Sequence, residues 1–245
     1  MVEQSVDPLR QQAVAVNLRL YGDPTNTAFH EGAMEDALQR FRAQTAIETF
    51  SPLGKDKRFL DVGCGEGTVV QALKNTGFSE VLGLDLSVNR LKDNKLKHPD
   101  LYHVAGLVQQ LPFASEIFSG VSAFEVYEHV PSEDGPLMLN EIYRVLKPGG
   151  LLVLSTLNRK SLARRIFPDT STVEAHFNEV GYDQLQENIS QAGFRIQEVR
   201  GVGLVPLMWK LQRFVPNPRI QDWNIQAGGK FPSITSETLV IAQKD

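Results

Sequence analysis

Cysteine is almost absent: Cys64 is the only one in 245 residues. That excludes an intramolecular disulfide framework and fits a reducing compartment. Long apolar runs are also missing. No segment approaches the roughly 20 apolar residues that span a bilayer. The opening stretch MVEQSVDPLRQQAVAVNLRLYGDP has no apolar core of secretory length. Nor is there a basic excess, since 25 Lys and Arg face 29 Asp and Glu for a net charge of −4. This balance argues against a general nucleic-acid binder, while leaving room for a local basic patch. No repeat, low-complexity tract or His/carboxylate cluster of metal-ligand spacing is visible. The expectation is a soluble, cytoplasmic protein with no metal and no nucleic-acid partner.

With 42% hydrophobic residues the chain can bury one large core. Residues 1–57 read as a polar helical cover, with Met34, Leu38, Phe41 and Ile47 at near-helical spacing. SPLGKDK then breaks the pattern. From residue 58, the strands RFLDVG, EVLGLD, LYHVAG, GVSAFEV and LLVLSTLN alternate with amphipathic helices. Ser87 and Ser132 are the expected N-caps of two of those helices. After the fifth strand come a helix in GYDQLQENISQAGF and two strands, FRIQEVRG and TSETLVIAQK. The pattern predicts an α/β fold: a Rossmann-like, doubly wound, mostly parallel seven-stranded sheet. The core is expected over 58–245, with 159–180 and 201–235 inserted late as lid or acceptor-site segments.

The stretch DVGCGEG joins a strand to a helix. Glycines there allow positive dihedrals and close approach of a ligand, although a bare tight turn has the same composition. Asp85 closes the next strand, where a carboxylate can bind ribose hydroxyls. The spacing departs from the dinucleotide pattern G-x-G-x-x-G, because Thr68 stands where a third glycine would be. Asp61, ahead of the first glycine, would repel a pyrophosphate but suits a cationic ammonium group.

With FLDVGCGEG, VLGLDLS, LPF, FEVYEHV and EIYRVLKPGGLLVLSTLN in order, the chain resembles class I S-adenosylmethionine-dependent methyltransferases over residues 58–158. FEVYEHV and STLNR look nearest to ubiquinone-biosynthesis O-methyltransferases. The resemblance implies S-adenosylmethionine as cofactor and S-adenosylhomocysteine as product. It implies that backbone around Gly63, Cys64 and Gly65 holds the methionine end, with Asp61 ordering the loop. Asp85 would bind the ribose, Leu86 would pack on the adenine, and Phe124 and Glu125 would face the ammonium. Relatives usually carry an aspartate for the adenine amino group where this chain has Leu107. That loss is worth about 1 kcal/mol, and the Val108 N–H remains able to meet the ring.

The resemblance leaves the acceptor open: a hydroxyl oxygen first, with nitrogen or carbon of a small molecule, sugar or lipid as alternatives. A catalytically silent cofactor-binding module is a third class. A hydroxyl acceptor benefits from a base near neutrality, for which histidine is suited. His129, on the rim after the fourth strand, and His176, in a late segment able to reach over the site, are the candidates. His98 reads as a solvated helix end and His103 as a structural strand residue, while His30 has no assignable role. The apolar stretch 203–216, with Leu207, Met208, Trp209, Leu211, Phe214 and Val215, has three readings: a lid, an interface with a membrane or another subunit, or packing over the sheet edge. Lys210, Arg213 and Arg219 keep contact with a lipid-like substrate open. Oligomeric state has no signal in the sequence.

Overall fold

A computed structural model describes residues 7–23, 33–167, 174–204 and 217–245. His30 and the segment 205–216 therefore lie outside the described residues. Helix α1 (Pro8–Tyr21) opens with Asp7 accepting from the Leu9 N–H at 3.0 Å and with proline in its first turn. Helix α2 (Ala33–Phe50) follows. The sheet and its crossovers then run β1 (Arg58–Val62), α3 (Thr68–Asn75), β2 (Glu80–Asp85), α4 (Val88–Lys97), β3 (Tyr102–Ala105) and β4 (Phe118–Phe124). They continue through α5 (Asp134–Val145), β5 (Leu146–Leu157), α6 (Leu162–Ile166), α7 (Tyr182–Gln191), β6 (Phe194–Val202), α8 (Pro218–Ala227) and β7 (Glu237–Lys244).

The seven strands lie in the order β3-β2-β1-β4-β5-β7-β6. Pairings from β3 through β5 are parallel, and β7 runs antiparallel between β5 and β6. The strand order reverses between β1 and β4. In open α/β sheets the crevice at the carboxyl ends of such a pair is where ligands bind.

Both faces of the sheet are covered, which is why LLVLS reads as one continuous apolar run. Leu152 and Leu154 point to the face packed by Met138, Leu139 and Ile142 of α5 and by Leu185 and Ile189 of α7. Val153 points to the other face, with Leu38, Ala46 and Phe50 of α2, Val70 and Leu73 of α3 and Ile225 of α8. The apolar stripe expected on the N-terminal cover is there. Leu38 is buried, and Met34, Phe41 and Ile47 pack half-buried against that cluster.

Two local expectations need correction. Ser87 caps α4, accepting from the Arg90 N–H at 3.2 Å, but Ser132 does not cap α5. Its hydroxyl donates to the neighbouring Glu133 carboxylate, and the first turn of α5 is held instead by the Pro131 carbonyl. The fifth strand, expected to begin at LLVLSTLN, takes in the preceding KPGG stretch as well, since β5 starts at Leu146. There the ladder passes from Phe118–Leu146 to Gly120–Leu151, so residues 147–150 bulge outward with Gly149 at φ 76°. Among the described residues no helix is long and apolar enough to cross a membrane.

Candidate active site

A cleft of about 1090 Å³ opens over the reversal point, walled by α1 and α2, the loop after β1, the end of β2 and the segment after β4. All ten residues expected at a cofactor and both candidate histidines line it, with Val108 also packed against the core. Residues 217–235 supply none of its wall; α8 packs on α2, with Arg40 and Asp222 paired at 2.8 Å.

The glycine loop is built for close approach. Gly63 has φ 68°, and a side chain there would meet Val126 at 2.3 Å. Gly65, at φ 49°, has open space where its side chain would be. The loop is held from beneath. The Cys64 N–H donates to the Leu84 carbonyl at 2.9 Å, the Gly65 N–H to Asp85 Oδ2 at 2.9 Å, and Asn94 donates to the Gly65 carbonyl at 2.6 Å. Two of the loop's N–H groups are thus committed to β2, and what remains for a ligand is its concave backbone surface. The other Asp85 oxygen accepts from the Ser87 N–H at 2.8 Å, so both oxygens are fixed while each keeps a lone pair. Asp61 is buried, with the Ser122 hydroxyl donating to it at 2.7 Å. Burial, opposed by that hydrogen bond, pushes its pKa up to about 7. Burial also keeps the Cys64 thiol well above its usual range, so it is packing material and not a nucleophile.

Leu86 and Leu107 border the same half of the cleft, Leu107 more than a third exposed. His103 lies under the loop in β3. Among the described residues neither of its ring nitrogens has a hydrogen-bond partner, and burial lowers its pKa. His98 is half-buried and not solvated as expected, because Gln71 reaches its Nδ1 at 2.8 Å.

Beyond β4 the chain turns sharply. Glu125 takes φ 53°, a conformation costing a non-glycine residue about 1 kcal/mol. Its N–H donates to the Ser155 carbonyl, and the Ser155 hydroxyl donates to its carboxylate at 2.8 Å. The turn carries Glu128 and His129 inward. His129 Nδ1 lies 3.1 Å from the Ala175 carbonyl. A carbonyl only accepts, so Nδ1 bears the hydrogen and Nε2 keeps its lone pair. Burial and the neighbouring His176 lower the His129 pKa to about 4, leaving the ring neutral near pH 7. Tyr21 of α1 meets its ring edge-on at 5.0 Å between centroids, and Asn17 donates to its carbonyl at 3.0 Å.

The two candidate histidines come together, with ring centroids 5.1 Å apart. His176 Nδ1 lies 2.8 Å from Glu179 Oε1, which also takes Arg164 at 2.5 Å. Burial opposes charge on Glu179, but those two partners hold its carboxyl below the usual range. On the opposite wall, Arg42 of α2 reaches Glu237 at 3.4 Å, Glu35 at 3.5 Å and Glu125 at 3.8 Å. One guanidinium shared at these distances does not hold every carboxylate ionised. Burial and the charge on Glu125 push Glu237 up to about 8, and burial with the same charge raises Glu128 well above its ordinary value. No group of three or more His, Cys, Asp and Glu side chains among the described residues is arranged to hold a metal.

A model of the methyltransferase domain matches residues 32–199. The chain belongs to the methyltransferase-domain family, of the class I S-adenosylmethionine-dependent type. Its methyl donor is S-adenosylmethionine. Among curated relatives, a ubiquinone biosynthesis O-methyltransferase of Bradyrhizobium diazoefficiens is 40% identical over 142 residues, 55% of this chain and 53% of that one. A second, from Hydrogenovibrio crunogenus, is 29% identical over 168 residues, 63% of this chain and 68% of its own. A probable S-adenosylmethionine-dependent methyltransferase of Mycolicibacterium smegmatis is 30% identical over 58% of this chain, matched along 54% of its length. The matches to these three thus span between 53% and 68% of the relatives' own length. A Haloferax volcanii putative methyltransferase, solved with the activator Trm112, has the same fold at a TM-score of 0.65 and 19% identity, covering 96% of each chain. So does the geranyl diphosphate C-methyltransferase of Streptomyces coelicolor, solved with Mg2+, geranyl diphosphate and S-adenosyl-L-homocysteine, at 0.65 and 17% over 93% of this chain and 88% of that one.

Several residues around this methyltransferase's cleft are not evident from the sequence. Glu179, which holds His176 from behind the cleft, had a visible signal, lying three residues after it in HFNE. Asn94, Arg42, Asn17 and Tyr21 had none, because each reaches the site across the fold from a helix that otherwise reads as cover.

Proposed function

We propose that this methyltransferase moves a methyl group to a hydroxyl oxygen of a small molecule, with His129 as general base. The observation that carries the reading is the fixed tautomer of His129: Nδ1–H on the Ala175 carbonyl, and Nε2 left with its lone pair on a residue that lines the cleft. Bound S-adenosylmethionine supplies a methyl carbon already activated by its sulfonium. The chain supplies alignment, exclusion of water and a proton acceptor. Asp85 takes the ribose hydroxyls on its remaining lone pairs, with Leu86, Leu107 and Val108 beside the base. Asp61, Gly63, Cys64, Gly65 and the Phe124–Glu125 turn form the methionine end. The open space above Gly65 and the buried acid beneath the loop suit a ligand that is cationic at that end.

The 1–57 cover and the 159–180 segment serve as the acceptor half: α1 and α2 wall it on one side, and His176 on the other. A protonated amine is the second reading, favoured by Glu35, Glu125, Glu128 and Glu237 on the same walls. Turnover of a panel of hydroxyl and amine acceptors by wild type and His129→Ala decides between them. The hydroxyl reading expects kcat on hydroxyl acceptors to fall roughly 10²- to 10⁴-fold in the variant while cofactor affinity stays unchanged. Equal turnover by wild type and variant would remove His129 from the chemistry.

A further inference from the structure

Each methyl group moved from a sulfonium to a hydroxyl oxygen releases one proton, and that proton must leave the cleft before the next turnover. On His129 it arrives at Nε2. It cannot continue through Nδ1, because the Ala175 carbonyl facing that nitrogen takes no proton onward. The α1 side of the ring is covered by Tyr21, with Asn17 on the main chain. His176 stands against another edge, at 5.1 Å between centroids. Its Nδ1–H is directed at the Glu179 carboxylate, which Arg164 fixes in place. Behind it lies a second, polar cavity of about 580 Å³, lined by Ser132, Arg159, Phe177, Asn178, Glu179 and Val180. His176 is the one described residue that borders both spaces.

We propose that His176 and Glu179 form a proton exit connecting the active cleft to this outer cavity. His176 Nε2 takes the proton released by His129 Nε2, directly or through one water. Glu179 stays ionised and stabilises the imidazolium so formed, and the imidazolium gives one proton to water of the outer cavity. One proton enters and one leaves, no electron moves, and His176 returns to its neutral state with Glu179 unchanged. An ionised carboxylate on the far nitrogen stabilises the transient imidazolium, the same logic that orients a catalytic histidine elsewhere. The apolar and carbonyl surroundings of His129 offer that ring no comparable support. The exit rests on the hydroxyl reading for the source of the proton, whereas its route rests only on this geometry.

The test compares wild type, His176→Ala, Glu179→Gln and His129→Ala on one hydroxyl acceptor across a series of imidazole buffer concentrations. The wild-type rate should not depend on buffer. His176→Ala should lose about tenfold in kcat, less than the 10²–10⁴ of a primary base, because slower exits through water remain. Its rate should climb back as imidazole rises, and Glu179→Gln should fall less. Calorimetric binding of S-adenosylhomocysteine reports an intact cleft, and His176→Gln replaces the alanine variant if that one does not fold. Unchanged turnover in His176→Ala overturns the exit, as does a loss that imidazole does not restore. A different result defeats the hydroxyl reading instead: His129→Ala as active as wild type.

Discussion

His129 concentrates the energetic argument at the scale of single residues. Its ring is neutral in the fold, at about pKa 4, against about 6.5 for an unfolded histidine. Between those values the unfolded chain binds the extra proton, so His129 makes stability rise with pH from about 4 to 6.5. Below both values its full penalty applies, on the order of 3 kcal/mol. Glu128 and Asp61, whose pKa values are raised, contribute the opposite slope. The informative quantity is therefore the difference between wild type and His129→Asn in denaturant unfolding, measured from pH 4.5 to 7. The variant should gain on wild type as the pH falls through that window; parallel curves would show that His129 is not held neutral by the fold.

Legibility in the sequence differed among these residues for a physical reason. Asp61, the glycines and Asp85 are contiguous with the strands they terminate, so their spacing alone carries their placement. The contact of His129 with His176 is not written locally: 46 residues separate His129 from Ala175, whose carbonyl fixes its tautomer. Their pairing depends on the turn at Glu125 and on the return of the chain after β5. Leu107 was expected to leave the adenine side without a side-chain acceptor, and the described structure puts an exposed leucine there.

Among the elements, α1 is the one whose role the sequence understated. Only Ala13 and Val16 of its fourteen residues are buried, so apolar packing alone does not account for its position. Directional contacts do. Arg10 grips the fully buried Asp134 with two hydrogen bonds at 2.5 and 2.8 Å. At the other end Ser87 donates to the Gly22 carbonyl and Arg90 to the Tyr21 carbonyl. The helix is thereby pinned to α5 at one end and to the start of α4 at the other. Arg10→Ala leaves Asp134 with Gln109 as its remaining side-chain donor and should cost about 1–3 kcal/mol. Amide exchange should rise along α1, and the KM for the acceptor should rise with it; an unchanged exchange pattern would mean that α1 is held by other contacts. The sheet was far more legible, since strands buried on both faces read as apolar runs whatever their neighbours. The antiparallel placement of β7 between β5 and β6 was not, because strand order depends on crossovers whose path periodicity does not encode.

On the scale of the whole molecule, one crevice serves two jobs. In the proposed reading, the carboxyl ends of β1 and β2 and the α4 cap hold the methyl donor, while the turn after β4, the N-terminal helices and the segment containing His176 enclose the acceptor. The curated relatives match this chain in sequence over 48–75% of its length. The proposed acceptor half is assembled from the N-terminal helices and the segment containing His176, which reach the cleft from far apart in the sequence. Everything in the account depends on the donor binding where Asp85 and the glycine loop meet. Titration calorimetry with S-adenosylhomocysteine on wild type and Asp85→Ala tests this most directly. The account predicts one site in the wild type and a roughly tenfold or greater loss of affinity in the variant, the size expected for charge-assisted hydrogen bonds. Absence of binding in the wild type, or equal affinity in the variant, would contradict it.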